Sequence, residues 1–237
     1  MPSASKTAPN RGATHPFDGK YGTDTGDYLS PEELVTGQAH DALNCGYSAI
    51  APSVFREACR RWTQTLPAVS AKIEAYTFVD IGAGKGRALL LAAEQPFRKV
   101  IGVELHPNLA RIARGNVGLR FDRSKVKIRV VQEDAVDFRW PRAPLLVYLY
   151  NPFECSLIQQ LAENLAAAGR SGRGPVDLLY VNPTCAHVLT ARSFFKHLWT
   201  AKIQMDAADQ KADPYGTDSD MVSAFRLRHR IEIIAGE

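Results

Sequence analysis

From residue 76 onward, short apolar runs alternate with longer stretches of helical period. The runs TFVDIGA (77–83), KVIGVEL (99–105), KVKIRVVQED (125–134), PLLVYLYN (144–151) and VDLLYVN (176–182) read as strands. Between them, GRALLLAAEQP (86–96), HPNLARIARGNVGL (106–119) and CSLIQQLAENLAAAG (155–169) carry apolar residues at helical spacing. Strands alternating with helices of this length predict an α/β domain, a parallel sheet with helices on both faces. The end of the chain breaks the alternation. KHLWTAKIQM (196–205) and MVSAFRLRHRIEII (221–234) are both strand-like, and DAADQKADPYGTDSD (206–220) between them reads as loop. Two consecutive strands imply an antiparallel hairpin. The expectation is a seven-stranded, mostly parallel sheet with one antiparallel edge strand.

The pattern before residue 76 differs. Residues 1–16 hold almost no large apolar side chains and read as a disordered tail. Residues 17–35 mix aromatics with Gly, Asp and Thr, as an ordered loop does, and enter a helical turn at Ser30-Pro31-Glu32-Glu33. In 52–66, Val54, Ala58, Trp62 and Leu66 recur every four residues, which predicts an amphipathic helix. Residues 17–72 are too few for a large core of their own. They are read as a loop and helical cap on a domain spanning 73–237.

Two predicted strands end alike, in VYLYNPFEC (147–155) and LLYVNPTC (178–185). Their flanks do not match, so the echo is not an internal repeat. Nor is it a metal site, because Cys45, Cys59, Cys155 and Cys185 form no close pair of ligands. Scattered in this way, the four cysteines read as reduced, semi-buried thiols.

The sharpest motif is Val79-Asp80-Ile81-Gly82-Ala83-Gly84-Lys85-Gly86-Arg87. It follows a strand and opens a helix, the context that gives a glycine motif meaning. The next strand ends in Glu104, a carboxylate placed to accept from two ribose hydroxyls. The third ends in Glu133-Asp134-Ala135, where a carboxylate suits an adenine amino group. Together these outline a nucleoside pocket at the carboxyl edge of the sheet. A nicotinamide-dinucleotide site fits less well. Its third glycine would come one residue later, and Asp80 would repel a pyrophosphate.

DIGAGKGR, VIGVEL and QEDA resemble the class I, seven-stranded S-adenosylmethionine-dependent methyltransferases, whose fold is Rossmann-like. The resemblance covers about residues 73–237. Within that family, DIGAGKGRALLLAA and GVELHPNLARIAR look most similar to the non-SET histone-lysine methyltransferases and small relatives that methylate protein lysines. The resemblance implies S-adenosylmethionine as cofactor. Asp80, Gly82, Ala83, Gly84 and Gly86 would frame its methionine part, Glu104 its ribose, and Asp134 with Ala135 its adenine. Lys85 or Arg87 would face the cofactor carboxylate, or both would be solvated.

In this fold the fourth strand leads to the reacting centre, and here it ends in Asn151-Pro152-Phe153. Methyl transfer from a sulfonium is an in-line displacement, so the nucleophile must be held at near-attack distance. The Asn151 oxygen could hold an amine, and Phe153 could pack on it or on the sulfonium. Amino-methylating members carry Asn/Asp-Pro-Pro-Tyr/Phe there, so this chain is one proline short. Asn-Pro as plain turn punctuation stays open. Asn182 is a candidate acceptor contact one strand over, and His187 a candidate base. Tyr28 and Tyr47, with Tyr21 and Thr25, suggest a lid that also touches the acceptor.

Composition narrows the partners. With a net charge of +4, the chain does not demand an anionic partner, and its basic segments read as solvated faces. No run approaches the ~20 apolar residues of a membrane span. The N-terminus has no apolar signal segment, which leaves a cytoplasmic location as the default expectation. The expected partner is a methyl acceptor, leaning to an amine such as a protein lysine. A small-molecule or nucleic-acid acceptor, or a cofactor-binding module without catalysis, are the alternatives.

Overall fold

A computed structural model describes residues 15–66, 72–120, 126–142, 144–171, 174–191, 194–213 and 215–228. Most of the tail predicted for 1–16 lies outside them. Its last two residues are ordered: His15 caps helix α1 (Pro16–Tyr21), its Nδ1 accepting from the Phe17 N–H at 3.0 Å. Strands β1 (Tyr28–Leu29) and β2 (Tyr47–Ser48) then form a two-stranded antiparallel ribbon. Between them, the predicted turn at Ser30 is a short 3-10 segment over Pro31–Leu34 with a capping box to Glu33. Helix α2 (Pro52–Thr63) buries Val54, Phe55, Ala58, Cys59 and Trp62, the stripe the sequence predicts.

The main domain runs β3 (Thr77–Ile81), α3 (Arg87–Ala92), β4 (Lys99–Glu104), α4 (Pro107–Arg120), β5 (Lys127–Gln132), β6 (Leu145–Tyr150), α5 (Cys155–Ser171), β7 (Val176–Val181), α6 (Ala186–Ala191), β8 (Phe195–Gln204), α7 (Ala207–Ala212) and β9 (Ser219–Leu227). The seven strands of the large sheet lie in the order β5-β4-β3-β6-β7-β9-β8. The five from β5 to β7 are parallel, and β9 runs antiparallel to both neighbours, so the closing pair completes one edge. The chain reverses direction between β3 and β6, leaving a crevice at the carboxyl ends of the central strands.

Alternation along the buried strands assigns each side chain to a face. Phe78, Tyr148, Leu179 and Val222 pack on the side of α2 and α3. Val79, Ile81, Val147, Leu149 and Tyr180 pack on the side of α5. Trp62 of the cap is fully buried against the first layer, and its indole N–H donates to Asp177 at 2.8 Å. Burying one such side chain contributes about 1.5–3 kcal/mol, which welds the cap to the sheet.

Three helices depart from the sequence reading, and the first is α2, which ends at Thr63 and leaves Leu66 of the predicted stripe beyond it. Helix α3 is shorter than 86–96, because residues 93–96 continue as turns. Helix α7 lies inside the stretch read as loop: Asp206 caps it by accepting from the Ala208 and Asp209 N–H groups, and at six residues it is too short for periodicity to reveal. Residues 229–234 of the predicted last strand lie outside the described residues. The cysteine reading needs a correction. Cys155 and Cys185 form a disulfide that ties the start of α5 to the turn after β7. The topology brings together two positions 30 residues apart that spacing alone left unconnected.

Candidate active site

After β3 the backbone turns through three left-handed glycines, with φ of 73° at Gly82, 54° at Gly84 and 88° at Gly86. At two of them the space is also taken. A Cβ on Gly84 would fall 2.1 Å from the Tyr47 ring, and one on Gly82 would fall 2.9 Å from Pro152. The N–H groups of Gly82 and Ala83 both donate to the Val103 carbonyl, at 2.9 and 3.0 Å, so the turn is pinned to the end of β4.

Glu104 completes that clamp. One carboxylate oxygen accepts from the Gly84 N–H at 2.7 Å and the other from the His106 N–H at 2.8 Å. Burial pushes its pKa up against these bonds. Asp80 is 3% exposed, and burial, then the charge of Glu104, hold its carboxyl well above the usual range. Asp134 accepts from the Val136 N–H at 3.1 Å and meets His40 Nδ1 at 2.7 Å.

These groups line one cleft of about 940 Å³, counted to its open mouth. Asp80, Gly82, Ala83, Gly84, Glu104, Asp134 and Ala135 form its sheet side. Tyr47 and His40 close it from the cap, and Tyr148, Tyr150, Pro152 and Phe153 form its far end. Cap and sheet are stitched there by backbone bonds, from the Cys45 N–H to the Pro152 carbonyl and from the Glu154 N–H to the Leu43 carbonyl, each 2.9 Å. Tyr47 donates its hydroxyl to the Thr25 carbonyl at 2.8 Å, which fixes the ring over the glycine turn.

Several predicted residues sit elsewhere. Gly86 lies at the start of α3, facing Ala113, and does not line the cleft. Asn151 turns its oxygen away: it accepts from Thr184 Oγ1 at 2.7 Å and from the Tyr180 hydroxyl at 3.3 Å. Asn182 holds Asp220 at 2.7 Å and accepts from the Met221 N–H at 3.2 Å. Both asparagines have positive φ, 39° and 48°, so the sequence echo marks two left-handed strand ends. Tyr28 packs edge-to-face on Tyr215 at 5.6 Å, away from the cleft, and His187 is exposed on α6.

Lys85 and Arg87 are not solvated, and both are engaged by the cap. Lys85 pairs with Asp24 and Asp27 at 2.8 and 3.1 Å. Arg87 is 4% exposed, donating to Thr25 at 2.7 Å and to Asp18 at 3.3 Å. Cap acids thus neutralise the two cations at the start of α3, which the helix dipole disfavours. Sequence reasoning missed Tyr148, Tyr150 and Asp220. The alternation in VYLYN carried the first two; nothing local marks the third.

Comparison with known proteins gives fold alone. No protein-family model matches the chain. No curated protein matches it either. Among solved structures, one concerned with conversion of a disulfide bond into a thioacetal group during echinomycin biosynthesis is similar at 14% identity and a TM-score of 0.53, covering 76% of this chain and 85% of that one. A methylase-like protein from Haemophilus influenzae gives 16% and 0.49, covering 73% and 95%. The N-methyltransferase NodS from Bradyrhizobium japonicum, in complex with S-adenosyl-L-homocysteine, gives 15% and 0.47, covering 74% and 88%. The architecture is Rossmann-like, a mostly parallel seven-stranded sheet with one antiparallel strand and helices around it. Among the described residues no helix is long and apolar enough to cross a membrane.

Proposed function

We propose that this protein is an S-adenosylmethionine-dependent methyltransferase acting on an amine nitrogen, with a protein lysine as the favoured acceptor. The observation that carries the reading is convergence. Seven of the eight residues expected to hold the cofactor line one cleft, although they come from three strand ends. The lysine preference rests on the resemblance of DIGAGKGRALLLAA to lysine-methylating relatives.

The residues present fit the cofactor. Each Glu104 oxygen uses one lone pair on a backbone N–H and keeps another for a ribose hydroxyl. Asp80 is a buried carboxylate whose raised pKa calls for a cationic partner such as an amino group. The absence of side chains at Gly82 and Gly84 lets Pro152 and Tyr47 pack directly on the turn that would hold the cofactor. Bound there, S-adenosylmethionine supplies an electrophilic methyl group on a sulfonium.

The chain's own work is then placement and exclusion of water. Pro152 and Phe153 wall the far end, and Phe153 offers an aromatic face for the sulfonium or the acceptor. Tyr47 and the ribbon of the cap cover the glycine turn from solvent. Because Asn151 is engaged with Thr184 and Tyr180, we assign it to shaping the turn that presents Pro152 and Phe153.

Titration with S-adenosylhomocysteine tests the first layer: saturable binding is expected, and preference for a nicotinamide nucleotide overturns the reading. Transfer of labelled methyl from S-adenosylmethionine into fractionated lysate then separates protein, RNA and metabolite acceptors. Label in protein that survives acid hydrolysis as methyl-lysine is the expected result; label confined to RNA or to neutral metabolites overturns the acceptor assignment.

A further inference from the structure

The far end of the cleft holds polar groups that the cofactor reading does not use. Tyr148 lines the cleft, is 1% exposed, and its hydroxyl has no hydrogen-bond partner among the described residues. Tyr150, two residues on and on the same face, also lines it. Asp220, on that face of β9, is 5% exposed. One of its oxygens accepts from Asn182; the other is buried with no partner among the described residues. A buried polar group left unpaired loses its hydration without a replacement, so two near each other call for an explanation.

The charges around this group share one sign. Burial first, and then Asp220 and Asp213, oppose ionisation of Tyr150; burial first, and then Asp80 and Asp220, oppose that of Tyr148. Arg87 also lines the cleft, but it is held by Asp18 and Thr25. Among the described residues, an anionic acceptor would therefore meet the buried Asp80 in the cleft wall and Asp220 behind it, with the lining Arg87 already committed. A cationic one gains from those acids and from the tyrosine faces.

We infer that the methyl acceptor arrives as an alkylammonium ion, received against Tyr148 and Tyr150, with Asp220, whose carboxyl lies buried behind the cleft wall, as a positioning residue that acts through those tyrosines. This rests on the methyl-transfer reading and assigns its acceptor subsite. The balance is simple. The ammonium loses one proton to water; its nitrogen lone pair forms the new N–C bond as the C–S bond breaks and its electron pair goes to sulfur. A second proton leaves the methylated nitrogen if the product is to be neutral. The Tyr148 hydroxyl is the acceptor that can orient the N–H before transfer.

The test uses the full chain and two probes, n-butylammonium and the neutral alcohol n-butanol, titrated calorimetrically with and without S-adenosylhomocysteine. Binding of n-butylammonium in preference to n-butanol is expected. Asp220→Asn should weaken it about tenfold, while Asp218→Asn, which removes the same charge from an exposed position, leaves it unchanged. S-adenosylhomocysteine affinity should be the same in both variants, which a general loss of structure would not give. Equal amine affinity in Asp220→Asn and wild type, or equal binding of the alcohol, overturns the inference. If Asp220→Asn does not fold, Tyr148→Phe gives the same readout: an undiminished amine affinity overturns the inference. Failure of S-adenosylhomocysteine to bind would sink the cofactor reading instead, because the amine titration without it is read separately.

Discussion

The two halves of the sheet's carboxyl edge are built by different means. At the ends of β3 and β4, geometry is held by the backbone: three left-handed glycines, two N–H groups on the Val103 carbonyl, and Glu104 clamping two further N–H groups. At the ends of β6, β7 and β9, it is held by side chains that reach across strands, with Asn151 bound to Tyr180 and Thr184, and Asn182 to Asp220. The first half tolerates almost no substitution at its glycines. The second constrains its two left-handed asparagines but leaves the rest of its side chains free of backbone strain. A fold that keeps one cofactor and changes acceptors would need this division.

The strongest test of that division is Gly84→Ala. A left-handed backbone costs a non-glycine residue roughly 1–2 kcal/mol, and the new Cβ would also overlap Tyr47. S-adenosylhomocysteine affinity should fall by about a hundredfold or more by calorimetry, with the melting temperature lowered by several degrees, roughly 2–4 °C for each kcal/mol in a chain of this length. Affinity within about threefold of wild type would show that the turn does not set the cofactor half.

Asp80→Asn separates stability from binding. The folded-state pKa of Asp80 lies above its ordinary value of 3.8, so the folded ligand-free protein binds more protons than the unfolded chain within that window. Stability therefore falls as pH rises from the ordinary value through the folded one, and stays lower above it. The asparagine variant lacks this loss. Without ligand it should melt a few degrees higher than wild type near neutral pH, with the gap closing as pH falls to about 4. S-adenosylhomocysteine affinity should drop about tenfold over the same comparison. A gap that does not change with pH would mean that Asp80 is not the group whose burial opposes its charge.

The same division explains what could be read beforehand. Glycines at a strand-to-helix turn are local and period-breaking, so Gly82 and Gly84 were visible, and Glu104 and Asp134 followed from their places at strand ends. The buried strands announced themselves by apolar runs. Asp220 could not be found this way: it sits 70 residues from Tyr150, at the start of the reversed strand, and only pairing across β7 brings the two onto one face. The Cys155–Cys185 bond was hidden for the same reason. Lys85 and Arg87 read as facing the cofactor carboxylate or as solvated, because their counter-charges, Asp24, Asp27 and Asp18, lie 58 to 69 residues upstream in the cap. The paired Asn-Pro turns were visible but ambiguous. Positive φ explains the asparagines through backbone shape, and no local pattern shows where their side chains turn.

The smallest expected effect lies where cap and cofactor half meet. His40 of the cap lies 2.7 Å from an oxygen of Asp134, the carboxylate assigned to adenine, with side chains 27% and 17% exposed. Any ligand group that uses this oxygen competes with the imidazole. A pair so placed is worth about 0.2–1 kcal/mol, and salt screens it. His40→Ala should therefore raise S-adenosylhomocysteine affinity by roughly 1.5- to 5-fold at low salt, and by less as ionic strength rises. A loss of affinity would reverse the assignment: His40 would then hold the cofactor jointly with Asp134, and the cap would be part of the binding site itself. Either direction is measurable against Gly84→Ala in the same titration. The sign decides whether the cap guards the cofactor half or belongs to it.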